Sequence, residues 1–372
     1  MKKLLALSSL LAFSLVACQP TADGGTGPIK IGFIGPITGD VASLGVDDLN
    51  GVRLKVDEIN AAGGVHGRSI ELIIEDARCN GTDSASAAQK LVSVDKVVAI
   101  VGGLCSGETL AAAPIAESAA VVLLSPTSSS PDVTAAGDFT FRNYPSDALK
   151  TKAMVKYFKD NKISNVAIIA ENTDFAIGFR DSLRKDLGKD FVFNETVEPG
   201  TKDFRTLMTR LKKTNFDVFV ADGQSPPTIA LMIEQMREQG LMQLAITHDA
   251  GQTEETIALG GDSVEGFRAI NVASLSPESE FGKKFIAKNG PAQAGLVYAG
   301  YAYDAMGALA QAIGEVGTDG AAIRDYLYQI PSYTGTVGTF SFDENGDVVG
   351  INYKLMEVKD GVWVELADAP AM

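Results

Sequence analysis

From residue 29 onward the chain alternates short, unbroken apolar runs with longer stretches whose apolar residues recur every three or four positions. An apolar run without polar alternation is the pattern of a strand buried on both faces. The three-to-four spacing is that of a helix packed by one side. The first run, Ile29-Lys30-Ile31-Gly32-Phe33-Ile34-Gly35, predicts a buried strand. A helix over 46–62 follows, with Val52, Val56 and Ile59 on one face. Strands over 70–74, 97–101 and 121–124 then alternate with helices over 84–93 and 108–119. This order implies a parallel sheet with helices on both faces. The pattern restarts with strands over 166–170, 191–197, 216–221 and 244–247, separated by helices over 175–187, 204–213 and 228–239.

The last third is different. Helices over 278–288 and 297–315 precede an expected hairpin of strands 338–342 and 350–358, joined around Asp343-Glu344-Asn345-Gly346-Asp347. The turn is acidic, but Val348 stands where a calcium loop requires glycine. Asn345-Gly346 is a hairpin turn signal instead. The expected fold class is α/β with two lobes, each a mainly parallel sheet flanked by helices, and a cleft between them. In such sheets ligands bind beyond the C-terminal strand ends. The loops to inspect follow Gly35, Gly102, Leu124, Ala170, Ala221 and Thr247.

The N-terminus changes the picture. Lys2 and Lys3 precede an apolar stretch over 4–16, too short to span a bilayer, so 1–17 reads as a signal peptide. Leu15-Val16-Ala17-Cys18 resembles the lipobox of bacterial lipoproteins, which implies cleavage before Cys18 and acylation of its thiol; an ordinary secretory signal is the other reading. Residues 18–28, with Gly24, Gly25 and Gly27, read as a flexible tether. The later apolar stretch 295–313 carries Asp304 and Gln311 and reads as a buried helix with small residues for close packing.

Charge and length narrow the function. The 372 residues suffice for two domains, and the net charge of −15 argues against nucleic acid as a partner. In an exported chain Cys79 and Cys105 meet an oxidising medium, where a disulfide between them would contribute about 3 kcal/mol in the chain-entropy model. Two free buried thiols are the alternative.

Three loops carry candidate chemistry. Gly102-Gly103-Leu104-Cys105-Ser106-Gly107-Glu108 bares its backbone after a strand and sets Ser106 at or next to a helix N-cap, a place that favours an anion. Ser125-Pro126-Thr127-Ser128-Ser129-Ser130-Pro131-Asp132 offers short hydroxyls on a stiffened backbone, suited to a carboxylate or phosphate. His248-Asp249-Ala250-Gly251 places a carboxylate where it can meet a ligand ammonium. Plain helix capping also explains each, with Asp249 capping a helix near Thr253. Gly103-Leu104-Cys105-Ser106-Gly107 also has the form of a nucleophile elbow, which with His248 and Asp249 suggests a cysteine hydrolase; a disulfide at Cys105 removes the thiolate that chemistry needs. His66 and His248 are the two histidines, and neither sits in a metal-ligand cluster, so no metal or cofactor is expected.

Taken in order, Ile31-Gly32-Phe33-Ile34-Gly35-Pro36-Ile37-Thr38-Gly39, Asn60-Ala61-Ala62-Gly63-Gly64-Val65-His66-Gly67, Glu75-Asp76-Ala77-Arg78-Cys79 and the runs 102–106 and 125–129 resemble the leucine/isoleucine/valine-binding proteins of bacterial ABC importers, with the type I periplasmic binding fold. The resemblance runs from Ile29 to about Val358. It implies a ligand carboxylate held by Leu104, Cys105 and Ser106 and by Thr127 and Ser129, an α-ammonium on Asp249, and a disulfide between Cys79 and Cys105. It sets Leu44, Phe175, Gln224 and Tyr301 around the ligand side chain. Leu44 and Gln224 stand where relatives commonly carry aromatic residues, so leucine-like specificity is less secure than amino-acid binding. The expectation is a lipid-anchored, monomeric, non-enzymatic protein that captures an amino acid, branched-chain or otherwise aliphatic, and delivers it to an ABC permease. A ligand-sensing receptor of the same fold is the alternative. Lobe 1 is expected over 29–143 and 273–332, lobe 2 over 144–272 and 333–366, with hinge crossings near Tyr144, Val272 and Ser332.

Overall fold

β1 (Ile29–Gly35) is buried along nearly its whole length, as a strand covered on both faces must be. It is the centre of the first lobe in the computed structural model, which describes residues 25–366. Around it run α1 (Ala42–Ala61), β2 (Ile70–Asp76), α2 (Gly81–Lys90), β3 (Ala99–Gly102), α3 (Ser106–Ser118), β4 (Val122–Ser125) and β5 (Thr140–Arg142). The strand order is β2-β1-β3-β4-β5, with every pairing parallel. Phe33 lies level with Ile74 on one side and Val101 on the other.

The second lobe comprises α4 (Asp147–Asp160), β6 (Val166–Glu171), α5 (Asp174–Leu187), β7 (Phe193–Val197), α6 (Arg205–Leu211), β8 (Val218–Asp222), α7 (Pro226–Glu238), β9 (Leu244–Thr247), α8 (Glu254–Gly260) and β10 (Arg268–Val272). Ser146, Thr173, Ser225 and Thr253 cap the starts of α4, α5, α7 and α8 with their hydroxyls. The sequence pattern leaves β5, α4, α8 and β10 unread. For α4 the four lysines Lys150, Lys152, Lys156 and Lys159 obscure the helical spacing of Ala153, Met154, Tyr157 and Phe158.

The chain then returns through α9 (Glu280–Asn289), α10 (Leu296–Val316) and α11 (Gly320–Gln329). α10 is the buried small-residue helix expected over 295–313. It packs so close to α1 that a Cβ on Gly51 would fall 2.0 Å from the Ala299 carbonyl oxygen. Among the described residues no helix is long and apolar enough to cross a membrane.

The last strands correct two expectations. β11 (Tyr333–Gly335), β12 (Gly338–Phe342) and β13 (Val348–Val349) form a separate three-stranded antiparallel sheet. The Asn345-Gly346 turn does close a hairpin, but its second strand is the two-residue β13, because Gly350 at φ 104° turns the chain away. The long strand expected over 350–358 is β14 (Tyr353–Lys359), which pairs antiparallel with β10 and with β15 (Val362–Glu365) in the second lobe. The second sheet is therefore β15-β14-β10-β9-β8-β6-β7. Residues 333–349, expected in lobe 2, lie on lobe 1: Tyr333, Phe340, Phe342 and Val348 share the core of β1, and Asp304 of α10 accepts from the N–H groups of Thr336 and Val337 at 2.9 and 2.8 Å. The third crossing falls at 350–352 rather than near Ser332.

Candidate ligand-binding cleft

The C-terminal ends of β3 and β4 face those of β6, β8 and β9 across the cleft. One small enclosed space lies between them, lined by Leu44, Leu104, Ser106, Thr127, Phe175, Gln224, Asp249, Ala250 and Tyr298. At about 20 Å³ it has room for roughly one water, so the lobes are closed upon each other. Contacts across the cleft agree: Ser43 Oγ donates to Glu255 at 2.6 Å, and the Tyr298 hydroxyl donates to the Asp249 carbonyl at 2.9 Å.

The first wall is the β3–α3 loop. Cys105, not Ser106, is the N-cap residue, and Ser106 is the first residue of the helix. Cys105 is bonded to Cys79, which leaves no thiolate for the nucleophile-elbow reading. The N–H groups of Leu104 and Cys105 are not open to a ligand: both donate to the Glu108 carboxylate, at 3.0 and 3.1 Å, and Cys79 N–H joins them at 2.8 Å. Burial outweighs those donors and pushes Glu108 up to about 7.

The hydroxyl loop forms the second wall. Ser125 Oγ donates to the Gly103 carbonyl at 2.7 Å and Ser128 Oγ meets Thr109 Oγ1 at 2.7 Å, which ties the two loops together. Thr127 lines the cavity while its Oγ1 donates to the buried Asp48 of α1 at 3.2 Å. Ser129 does not line it. Its Oγ donates to Asp147 of the second lobe at 3.0 Å, and its carbonyl accepts from Asp147 N–H at 2.7 Å. Ser130 is the cap ahead of Pro131, as its position suggested.

Opposite stands Asp249. It does not cap α8, since Thr253 does so with its own hydroxyl at 3.0 Å from Thr256 N–H. Asp249 Oδ1 instead meets Lys150 of α4, and the same ammonium lies 2.6 Å from Asp147 Oδ1. The Asp147 contact is an ion pair without hydrogen-bond alignment. Lys150 is fully buried. Burial pulls its pKa down, but the two carboxylates outweigh that and raise it. Burial likewise lifts Asp147, to about 6, against the pull of Lys150. His248, named with Asp249 in the hydrolase alternative, stands edge-on to Phe175 and Phe179 with Nε2 2.9 Å from Asp222. Burial drops it to about 3, so the ring is neutral at physiological pH.

Eight of the ten expected ligand contacts thus lie at or beside the cavity. Leu104, Ser106, Thr127, Asp249, Gln224, Phe175 and Leu44 line it; Cys105 is fixed in the disulfide next to it. Ser129 is turned to Asp147, and Tyr301 stands behind the wall, edge-on to Tyr144 with ring centroids 4.8 Å apart. Sequence reasoning missed Ala250, Tyr298, Asp147 and Lys150. Tyr298 sits in the helix that was read only as packing, and the other two in the unread α4; the Ser146 cap was the signal that would have found them.

The sequence profile described as "Periplasmic binding protein" matches residues 28–362. The chain belongs to that family. The binding protein is 30% identical over 370 residues to the "Amino acid binding protein" of Pseudomonas aeruginosa, covering 97% of this chain and 98% of the relative. It is 28% identical over 364 residues to the "Leucine-, isoleucine-, valine-, threonine-, and alanine-binding protein" of the same organism, covering 94% and 95%. Its fold superposes on the leucine-binding protein LivK of Thermotoga maritima with a TM-score of 0.83 at 27% identity, covering 91% of this chain and 98% of that one. For the branched-chain amino acid transporter substrate-binding protein LivJ of Streptococcus pneumoniae, solved with isoleucine, the TM-score is 0.82 at 28% identity, covering 91% and 100%. The two-lobed α/β fold and the Leu/Ile/Val-binding family expected from the sequence are those found. The family is an extracytoplasmic, substrate-binding one.

Proposed function

We propose that this binding protein captures an α-amino acid in the cleft between its lobes and hands it to an ABC permease. One observation carries the reading. Hydroxyls at the start of α3 and in the β4 loop face a carboxylate, Asp249, across a single enclosed space whose remaining lining is mostly apolar. An α-amino acid presents a carboxylate and an ammonium on one carbon, so it can bridge both walls and favour closure. Leu44, Leu104, Phe175, Ala250 and Tyr298 suit an aliphatic side chain. The amino acids named for the Pseudomonas aeruginosa and Streptococcus pneumoniae relatives fall in the same class.

The test is a thermal-shift screen of all free amino acids, followed by calorimetry on the hits. A ligand at 100 times its Kd stabilises by about 2.7 kcal/mol, enough to read as a shift. At least one small aliphatic or hydroxyl amino acid is expected to raise the melting temperature, while its N-acetyl and amide derivatives are expected to fail. If no free amino acid binds, the reading is wrong.

The same reading includes anchoring through Cys18, which lies outside the described residues. Mass spectrometry of the mature N-terminus is expected to find an acylated Cys18 as first residue. An unmodified start at Gln19 or later would remove the lipoprotein assignment and leave the ligand assignment intact.

A further inference from the structure

A buried lysine inside a ligand cleft is costly unless its charge is met. Lys150 is such a residue. It is fully buried between Asp147 and Asp249, with the rings of Tyr144, Phe175 and Tyr353 about it at 5.9, 6.0 and 5.9 Å from Nζ to ring centroid. The carboxylate expected to receive the ligand ammonium is therefore already paired. A neutral Asp249–Lys150 pair would attract a ligand cation only weakly. Asp147 removes that difficulty, because two carboxylates and one ammonium leave one negative charge.

The titratable groups beside Asp249 and Lys150 do not upset the count. His248 is neutral, its Nδ1 3.6 Å from Asp249. Asp222, on its far side, is driven well above the ordinary carboxyl range by burial. Tyr144, Tyr298 and Tyr353 are held in the phenol form by burial. The cavity lining holds no other charged side chain than Asp249.

Resting on the amino-acid reading above, we propose that the triad Asp147–Lys150–Asp249, and not Asp249 alone, is the ammonium subsite. Lys150 holds Asp249 Oδ1 and so leaves Oδ2 for the ligand. Asp147 supplies the net charge. Lys150 and Asp147 are positioning residues, since neither lines the cavity. One net charge matches one cation, so the ligand class is α-amino acids with uncharged side chains. The triad is also bound to the first lobe, because Ser129 holds Asp147 through both its hydroxyl and its carbonyl. Closure therefore docks the subsite, whose three residues all belong to the second lobe, onto the hydroxyl loop of the first.

The charge count has a test that a merely structural role would not pass. Asp147→Asn leaves Lys150 and Asp249 with no net charge. Adding Lys150→Met restores one negative charge and keeps an aliphatic stem among the three rings. Calorimetry with L-leucine, L-valine, L-threonine and L-alanine is run on the parent, on Asp147→Asn and on Asp147→Asn/Lys150→Met, with circular dichroism to confirm folding. The single variant is expected to bind the best of these at least tenfold more weakly than the parent. The double variant is expected to bind at least tenfold more tightly than the single. The parent alone supplies a second measurement: 4-methylpentanoate, which is leucine without its amine, is expected to bind at least a hundredfold more weakly than leucine. A double variant no better than the single overturns the triad while the amino-acid reading stands; 4-methylpentanoate equal to leucine overturns both, since no ammonium is then recognised. If the parent binds none of the four amino acids, the triad proposal falls along with the reading it rests on.

Discussion

Glu108 is the residue whose role most changes between sequence and structure. It reads as the first residue of the helix expected over 108–119, yet its carboxylate gathers three N–H groups of the loops around the disulfide. Burial lifts it to about 7, and the buried Asp47, Asp147 and Asp304 each to about 6. Each of these groups binds its proton more readily folded than unfolded. The stability they contribute is full below the ordinary carboxyl values and is lost as pH rises through about 6 to 7. His248 works the other way: buried at about 3, it costs stability as pH falls from 6.5. Four carboxyls outweigh one imidazole, and lowering a net charge of −15 acts in the same direction. Thermal melts are therefore expected to show a higher melting temperature at pH 5.5 than at pH 8. Glu108→Gln is expected to flatten the slope between pH 6 and 8. Equal slopes for parent and variant would show that Glu108 carries no part of the dependence. At this scale the sequence reading places residues well where position in a loop decides the neighbours: Ser106, Thr127 and Asp249 all line the enclosed space. It fails where another side chain intervenes: Glu108, three and four positions on, takes the N–H groups of Cys105 and Leu104, and Lys150 reaches Asp249 from a helix 99 positions away.

Between elements, periodicity was legible where apolar residues stand alone and not where charge overlies them. The strands β1, β3, β4, β6, β8 and β9 are central in their sheets, so their apolar runs are nearly unbroken and their order is readable. α4 is different. Its buried face includes the charged residues Lys150 and Asp147, so the face that packs does not look apolar in sequence. β14 shows a second kind of failure. The Asn345-Gly346 signal is local and correct, but the choice of partner strand is made by tertiary contact: β10 offers Tyr353–Lys359 a full antiparallel edge, which β12 does not. The disulfide is the element-scale link that the exported compartment and the family resemblance made visible. It fastens the loop ahead of α2 to the loop ahead of α3, so the Leu104–Ser106 wall is held from two sides, by the Cys79–Cys105 bond and by Glu108. In the chain-entropy account such a cross-link is worth about 3 kcal/mol.

For the whole molecule, the proposed capture depends on how closely the two lobes can approach, and two glycines stand at their closest contacts. A Cβ on Gly107 of α3 would fall 2.7 Å from Asp174 Oδ2 of α5; one on Gly178 of α5 would fall 2.6 Å from Ser130 Oγ, in the hydroxyl loop of the first lobe. Ser130 has little freedom to retreat, being buried and engaged as the cap ahead of Pro131. The bare backbone at these positions lets the N-terminal end of α5 slide beneath the first lobe. That approach brings Ser129 to Asp147 and seals the cavity. Neither glycine has a positive φ, so a side chain there strains no backbone and acts on the approach alone. Gly178→Val is accordingly expected to leave each lobe folded but to prop the cleft open. Its circular dichroism is expected to match the parent. Its affinity for the best amino acid is expected to fall at least tenfold, since the second wall can no longer reach a ligand held by the first. In small-angle X-ray scattering the parent is expected to contract when that amino acid is added and the variant to keep its radius of gyration. A variant that contracts and binds like the parent would mean that the lobes close by another path, and that the tight contact at Gly178 plays no part in capture.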